Sequence, residues 1–197
     1  MPRLSQQEFD TRRREIIAAA GRCFARKGIQ ATTMREIFAE AGMSAGAVYN
    51  YFKTKDELIA AGIRDSADEN IAALRGASDA AGRPLEFREL IERFLSDLDA
   101  SRRDGRARST PMIHAEVSVK PDLLKMFQEG RRQIRLAARE KVLESRPDLT
   151  EAQAATLVDF VFLLYQGMVT EAALDEVSNT DGMRAIIDLV LRRYPEP

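Results

Sequence analysis

The chain is poor in the residues that interrupt helices and in those that build catalytic or metal centres. Its 197 residues include one cysteine and one histidine. Cys23 alone excludes an intrachain disulfide, the usage expected of a reducing compartment. His114 alone excludes a histidine-rich metal site. Seven prolines and eleven glycines leave few breaks, and Ala, Leu, Arg and Glu dominate what remains, a composition that favours helix almost throughout. No unbroken run of ~18 apolar residues is present, so no membrane span is expected. No basic-then-apolar leader opens the chain, so no secretory signal is expected and the expected location is cytoplasmic. There is no glycine-rich phosphate loop, no metal-ligand cluster and no Ser/His/Asp spacing in context. No motif calls for a cofactor, and the expectation is a protein that is not an enzyme.

What is present is unevenly charged. The net charge of −1 conceals a basic head: residues 1–55 hold ten lysines and arginines against five acids, a net of +5, and the rest of the chain carries −6. A basic head on an acidic body points to a polyanion as the head's partner, although solvated helix faces would give the same totals.

Hydrophobic periodicity predicts a helix over residues 6–27, with Phe9, Ile16, Ile17, Ala20, Cys23 and Phe24 on one broad face and Gly28 ending it. Thr33-Met-Arg-Glu36 reads as a capping box opening a short helix that Gly42 stops. After a tight turn, Ser44 caps a second short helix predicted to run through Phe52. Two short helices joined by a glycine-containing turn are the pattern of a helix-turn-helix. A second box, Thr54-Lys-Asp-Glu57, opens a long helix to about Gly76. Helices are expected over 85–103, 107–119, 122–145, 151–174 and 181–194, the fourth opened by Thr150-x-x-Gln153. Nothing reads as a strand. The expected fold is all-α, with about nine helices: a head over residues 1–55 and a helical body over 56–197.

Several segments together carry a family resemblance: Phe24-Ala-Arg-Lys-Gly28, Thr32-Thr33-Met-Arg-Glu-Ile37, Ala41-Gly42-Met43-Ser44-Ala-Gly46, and Val48-Tyr49-Asn50-Tyr51-Phe52-Lys53-Thr54-Lys55-Asp56-Glu57-Leu58. Over residues 9–59 the sequence resembles the TetR family of one-component repressors. It departs from that pattern at Phe38, where the family usually has a small residue, and a ring there needs small neighbours such as Cys23.

The resemblance implies that the helix beginning at Ala45 enters the major groove of operator DNA, whose base edges carry the readable pattern. It implies phosphate contacts at the helix starts of Thr33 and Ser44 and hydroxyl contacts to phosphate from Tyr49 and Tyr51. Lys55 is expected to add a charge, and Lys53 either does the same or is simply solvated. Such contacts orient the protein without reading sequence. Ala45, Gly46 and Ala47 bring backbone close to the bases and offer contact with thymine methyls. Arg35 is the candidate for guanine, and Asn50 for adenine or a phosphate. Reading a palindrome calls for two heads, hence a homodimer.

For the body, the resemblance implies that the last two long helices pair with their copies in a four-helix bundle. Leu157, Phe160, Val161, Leu164, Met168 and Ala172 recur at helical spacing as the expected interface, with Gly167 permitting close approach; the same spacing would serve an internal core. Met112, His114, Met126, Phe127, Phe162, Tyr165 and Gln166 mix apolar and polar groups as a small-molecule effector pocket does, or as plain core does; for His114 a structural role is the better reading. The expected function is a ligand-responsive repressor, with an architectural or activating DNA-binding protein as the alternative.

Overall fold

The computed structural model describes residues 5–76, 82–83, 85–103, 106–174 and 180–193. Among these, nine α-helices and no strands are found: α1 (Gln6–Lys27), α2 (Met34–Glu40), α3 (Ala45–Tyr49), α4 (Lys55–Arg75), α5 (Phe87–Arg103), α6 (Ser109–Ser118), α7 (Pro121–Ser145), α8 (Glu151–Leu174) and α9 (Thr180–Arg193), with a 3-10 turn at Arg106–Arg108 before α6.

Local chemistry sets most of these boundaries. Ser5 caps α1 through a reciprocal bond with Glu8, a box not anticipated from the sequence, and Thr33 with Glu36 does the same for α2. Such a box satisfies two otherwise orphaned amides at once. Thr54 caps α4 by accepting from the Glu57 amide at 3.1 Å. The Glu57 carboxylate, however, accepts from the Lys53 amide at 2.6 Å, one residue before the expected partner. Gly28 and Gly42 adopt φ of 79° and 65°, a left-handed region that other residues enter only at a cost.

One boundary differs from expectation. α3 ends at Tyr49 instead of continuing to Phe52, because the chain tightens: the Tyr51 and Phe52 amides both donate to the Val48 carbonyl, at 2.8 and 2.9 Å. That turn carries Phe52 into the core, where it is buried.

Two apolar cores result. The first joins Ile16, Ala20, Cys23 and Phe24 of α1 to Ile37 and Phe38 of α2, Val48 of α3, Phe52, and Leu58 through Ala61 of α4, and reaches Val117 and Leu123 in the body. The second gathers Ile91 and Leu95 of α5, Val142 of α7, Leu149, Ala154, Leu157 and Val158 of α8, and Ile187 of α9. α4 lies along α7 more extensively than any other pair of elements. Where they cross, a Cβ on Gly130 would stand 3.3 Å from the Ala67 Cβ, so glycine allows the close approach.

α8 is the most apolar of the long helices. An 18-residue window of it has a mean hydropathy of 1.4, long and apolar enough to cross a membrane by length and composition alone, yet only 22% of that window is buried inside the chain. Asp159, with scattered Thr, Gln and Gly, breaks the apolar run, so α8 has this mean hydropathy while holding no unbroken run of ~18 apolar residues.

Candidate DNA interface, effector cavity and dimer face

The head is held together by its own charges. Glu40 of α2 is clasped by Arg22 and Arg26 of α1, each at 2.6 Å. Lys27 pairs with Glu36. Arg13 makes a bidentate bond to Asp65 of α4, at 2.9 and 2.7 Å. Much of the positive charge counted along the sequence is therefore paired internally. Arg35 and Lys53 are exposed and form no ion pair among the described residues.

The expected DNA-contact residues separate into two groups. Arg35, Tyr49, Asn50 and Lys53 are exposed, as is Gly46, with Ala47 half-buried beside it. The backbone of Ala45 starts α3, and its side chain lies outside the described residues. Tyr49 packs edge-on against Phe38, with ring centroids 4.9 Å apart and planes at 77°. The ring that departs from the family pattern is buried in the core that also holds Cys23 and Ala20, and it braces Tyr49. Thr33 and Ser44 are exposed at their caps; the Thr33 hydroxyl is engaged with Glu36, and the Ser44 oxygen accepts from the Ala47 amide at 3.4 Å.

The second group, Tyr51 and Lys55, is half-buried and engaged within the chain. The Tyr51 hydroxyl is buried without a hydrogen-bond partner, and its ring stacks on Phe9 at 4.5 Å. The Lys55 ammonium donates to the carbonyls of Ile29, Gln30 and Thr32 at 2.6, 3.2 and 2.9 Å. An ammonium has three donors, and all three are occupied by the loop between α1 and α2. Lys55 is a strut between that loop and α4. The sequence signal for this was weak, since a lysine at a helix start reads equally as solvated. Thr32 was also missed: it is fully buried and donates to the Gly28 carbonyl at 2.7 Å, closing the same loop.

Between head and body lies a cavity of about 240 Å³, walled by α1, α4, α6 and α7. Of the residues expected to line a pocket, it brings together His114 and Phe127, whose ring centroids are 5.0 Å apart. Burial, reinforced by the charge of Arg131, lowers the His114 pKa below its ordinary value. The other five lie elsewhere. Met112 is exposed, Met126 accepts a 3.6 Å contact from Arg64 at its Sδ, and Gln166 is half-buried on α8. Phe162 lies under the Arg135 guanidinium at 4.6 Å, and Tyr165 packs on Phe94 at 4.4 Å. The cavity takes its remaining walls from residues of the head and its linking helix, Ile17, Phe24, Ile59 and Ile63 among them, where no pocket was sought.

The body presents an apolar face that shares Gly167 with the expected interface residues, while others of that set pack inside the chain. Leu157 is 4% exposed and belongs to the second core, against which Val161, Leu164 and Met168 also pack; Phe160 and Ala172 are half-buried. The exposed side of α8 instead carries Leu163, Gly167 and Leu174, at i, i+4 and i+11. Leu163 and Leu174 are 70% and 80% exposed. Ile186 and Leu189 of α9 are also exposed.

Residues 16–61 match the family described as bacterial regulatory proteins, tetR family. The chain is 25% identical to the HTH-type transcriptional regulator YfiR of Bacillus subtilis over 97% of this chain and 95% of that one. Among solved structures, Salmonella enterica GusR superposes with a TM-score of 0.72 at 18% identity, covering 97% of this chain and 100% of GusR. The SmeT–triclosan complex superposes with a TM-score of 0.65 at 24% identity, over 92% of this chain and 91% of SmeT. The fold and the helix-turn-helix head define a DNA-binding regulator of transcription, not an enzyme. These matches support a transcriptional regulator of the TetR family, whose model covers the helix-turn-helix head.

Proposed function

We propose that this protein is a cytoplasmic, ligand-responsive repressor that binds a palindromic operator as a homodimer and releases it when a small-molecule effector binds. The observation that carries this reading is the position of the cavity: α1 of the head forms one wall, and α4, α6 and α7 form the others. An occupant therefore touches both parts of the molecule. A ligand that prefers one arrangement of head and body shifts the population toward it by its differential affinity, and DNA affinity changes reciprocally.

α6 connects the cavity to the head. Thr110, Ile113 and His114 face the cavity. Farther along α6, Glu116 accepts from Gln30 of the α1–α2 loop at 2.8 Å and pairs with Lys120 at 2.7 Å. Lys120 also pairs with Asp56 at the start of α4. A displaced α6 would pull on this polar clamp and thus on the helix-turn-helix. The triclosan bound to SmeT, a structure of the same fold, is in keeping with a small-molecule effector.

On the DNA side, Arg35, Tyr49, Asn50 and Lys53 supply side chains, and the first turn of α3, Ala45 through Ala47, supplies close backbone. Two heads are brought together by the exposed leucines of α8 and α9, whose burial in a second copy would also cover the apolar helix that the chain leaves open.

Genome-wide mapping of bound sites tests the reading. A few palindromes upstream of a small set of genes, lost from the bound fraction when an effector is present, are expected. Binding spread over the chromosome would indicate an architectural protein, and transcription falling on deletion of the gene would indicate an activator.

A further inference from the structure

Four arginines, Arg131, Arg132, Arg135 and Arg139, line a groove between α7 and α8. Three of them have carboxylate partners: Arg132 with Glu129 at 2.7 Å, Arg135 with Asp159 at 3.0 Å, and Arg139 with Glu151 at 3.5 Å. Arg131 has none among the described residues. It is half-buried and also lines the inner cavity, with its guanidinium 5.4 Å from the centroid of Phe127 and 5.9 Å from that of Phe162. A guanidinium stays charged in proteins, and a half-buried charge without a counter-ion is costly. Aromatic faces offset part of that cost.

The rest of the cavity is apolar, walled by Ile17, Phe24, Ile59, Ile63 and Phe127. Ser66, Thr110 and His114, whose pKa burial lowers, are the polar groups beside them. At about 240 Å³ it is smaller than the ~300–1,000 Å³ of drug-sized sites. Its α1 wall is open at Gly21, where an added Cβ would meet nothing within 4 Å.

We propose that this cavity binds a small amphipathic monoanion, its apolar body against the isoleucines and Phe127 and its carboxylate on the Arg131 guanidinium. A planar carboxylate matches the two parallel donors of a guanidinium. With one unpaired cation and no lysine among the lining residues, the site suits a single negative charge better than a phosphate dianion. Neutralising Arg131 removes the cost of its isolation, so the ligand's charge, and not only its apolar surface, drives occupancy. This inference rests on the effector reading and names the class of effector.

The test is calorimetric titration of the full chain with octanoate, octan-1-ol and octylamine, which share one apolar body. Octanoate is expected to bind tightest, roughly tenfold or more above octylamine, about 1.4 kcal/mol. Arg131→Gln is expected to abolish that preference while leaving octan-1-ol binding unchanged, and Arg132→Gln, a change to a paired surface arginine, to preserve it. Gly21→Leu is expected to abolish binding of all three by filling the cavity, and since leucine favours helix over glycine, lost binding there is not lost folding. No binding of octanoate, equal binding of octanoate and octylamine, or an unchanged preference in Arg131→Gln would overturn the proposal. Release of the mapped operator, followed by fluorescence anisotropy, separates the two readings. If the charge preference holds but octanoate leaves operator affinity unmoved, the effector reading fails and the anion site stands. If octanoate releases the operator equally from wild type and Arg131→Gln, the site assignment fails and the effector reading stands.

Discussion

The ammonium of Lys55, at the start of α4, donates to the carbonyl of Ile29 at 2.6 Å and to two further carbonyls of the loop before α2. It therefore ties the helix-turn-helix to α4. Lys55→Met is expected to lower stability by about 2 kcal/mol, the scale of a hydrogen-bonded charge, read as a drop in Tm. It should leave the slope of log affinity against log salt unchanged. Lys53→Met should do the reverse, leaving Tm alone and reducing that slope by about one phosphate's worth. A reduced salt slope in Lys55→Met would return Lys55 to the DNA interface.

The two tyrosines at the end of α3 should separate in the same way. Tyr51→Phe removes a buried hydroxyl that has no partner, so stability is expected to hold or to rise by up to ~1 kcal/mol, with operator affinity unchanged. Tyr49→Phe should leave stability alone, because the ring still packs on Phe38, and weaken operator binding by about 1 kcal/mol. Anisotropy titrations paired with thermal melts read both.

Arg35 is exposed on α2 and forms no ion pair among the described residues, and it is the side chain proposed for a bidentate contact to guanine. Arg35→Ala is expected to cost ~1–3 kcal/mol on the operator and to relax preference at one base pair. Equal losses on operator and scrambled DNA would make it a phosphate contact only.

Two leucines on α8 distinguish interface from core. Leu163→Glu is expected to shift the protein from dimer to monomer in light scattering with its helical content intact. Leu157→Ala should instead cost about 2–5 kcal/mol of stability, the range for a truncated core leucine.

Acid should weaken the region around His114. Its pKa is below the ordinary 6.5 in the folded chain, through burial first and the Arg131 charge second. The unfolded chain therefore takes up a proton before the folded one does, and stability is full above 6.5 and declines as pH falls through the lowered value. His114→Gln should flatten that decline in melts taken below pH 6.5. A profile the same as wild type would mean that other groups govern it.

The helices, their caps and the glycine turn of the head were legible in the sequence because their causes are local. Thr33, Ser44 and Thr54 act on amides three residues away, and Gly42 needs only its own φ. Which way a side chain faces is set by distant neighbours instead. On α8 every third or fourth position is apolar on more than one side, so periodicity could not choose between the core face of Leu157, Val161 and Leu164 and the open face of Leu163 and Leu174. α7 and α5, packed against the first of these, made the choice.

The same holds for charge and cavity. Sequence counts ten cations in the head, but whether a cation is free depends on what stands opposite it: Asp65 for Arg13, Glu40 for Arg22 and Arg26, three carbonyls for Lys55. The pocket residues were sought within the body, whereas the cavity is shared with α1, some hundred positions earlier in the chain. Sequence by itself determined the helices, their ends and the family signature, since hydrogen bonds within a turn and the apolar period arise from near neighbours. Only the tertiary structure decided which apolar face is left uncovered, which cations are paired within the chain, and that Arg131 stands at an apolar cavity without a carboxylate partner among the described residues. Those depend on groups far apart in the chain, brought together only when the cores close.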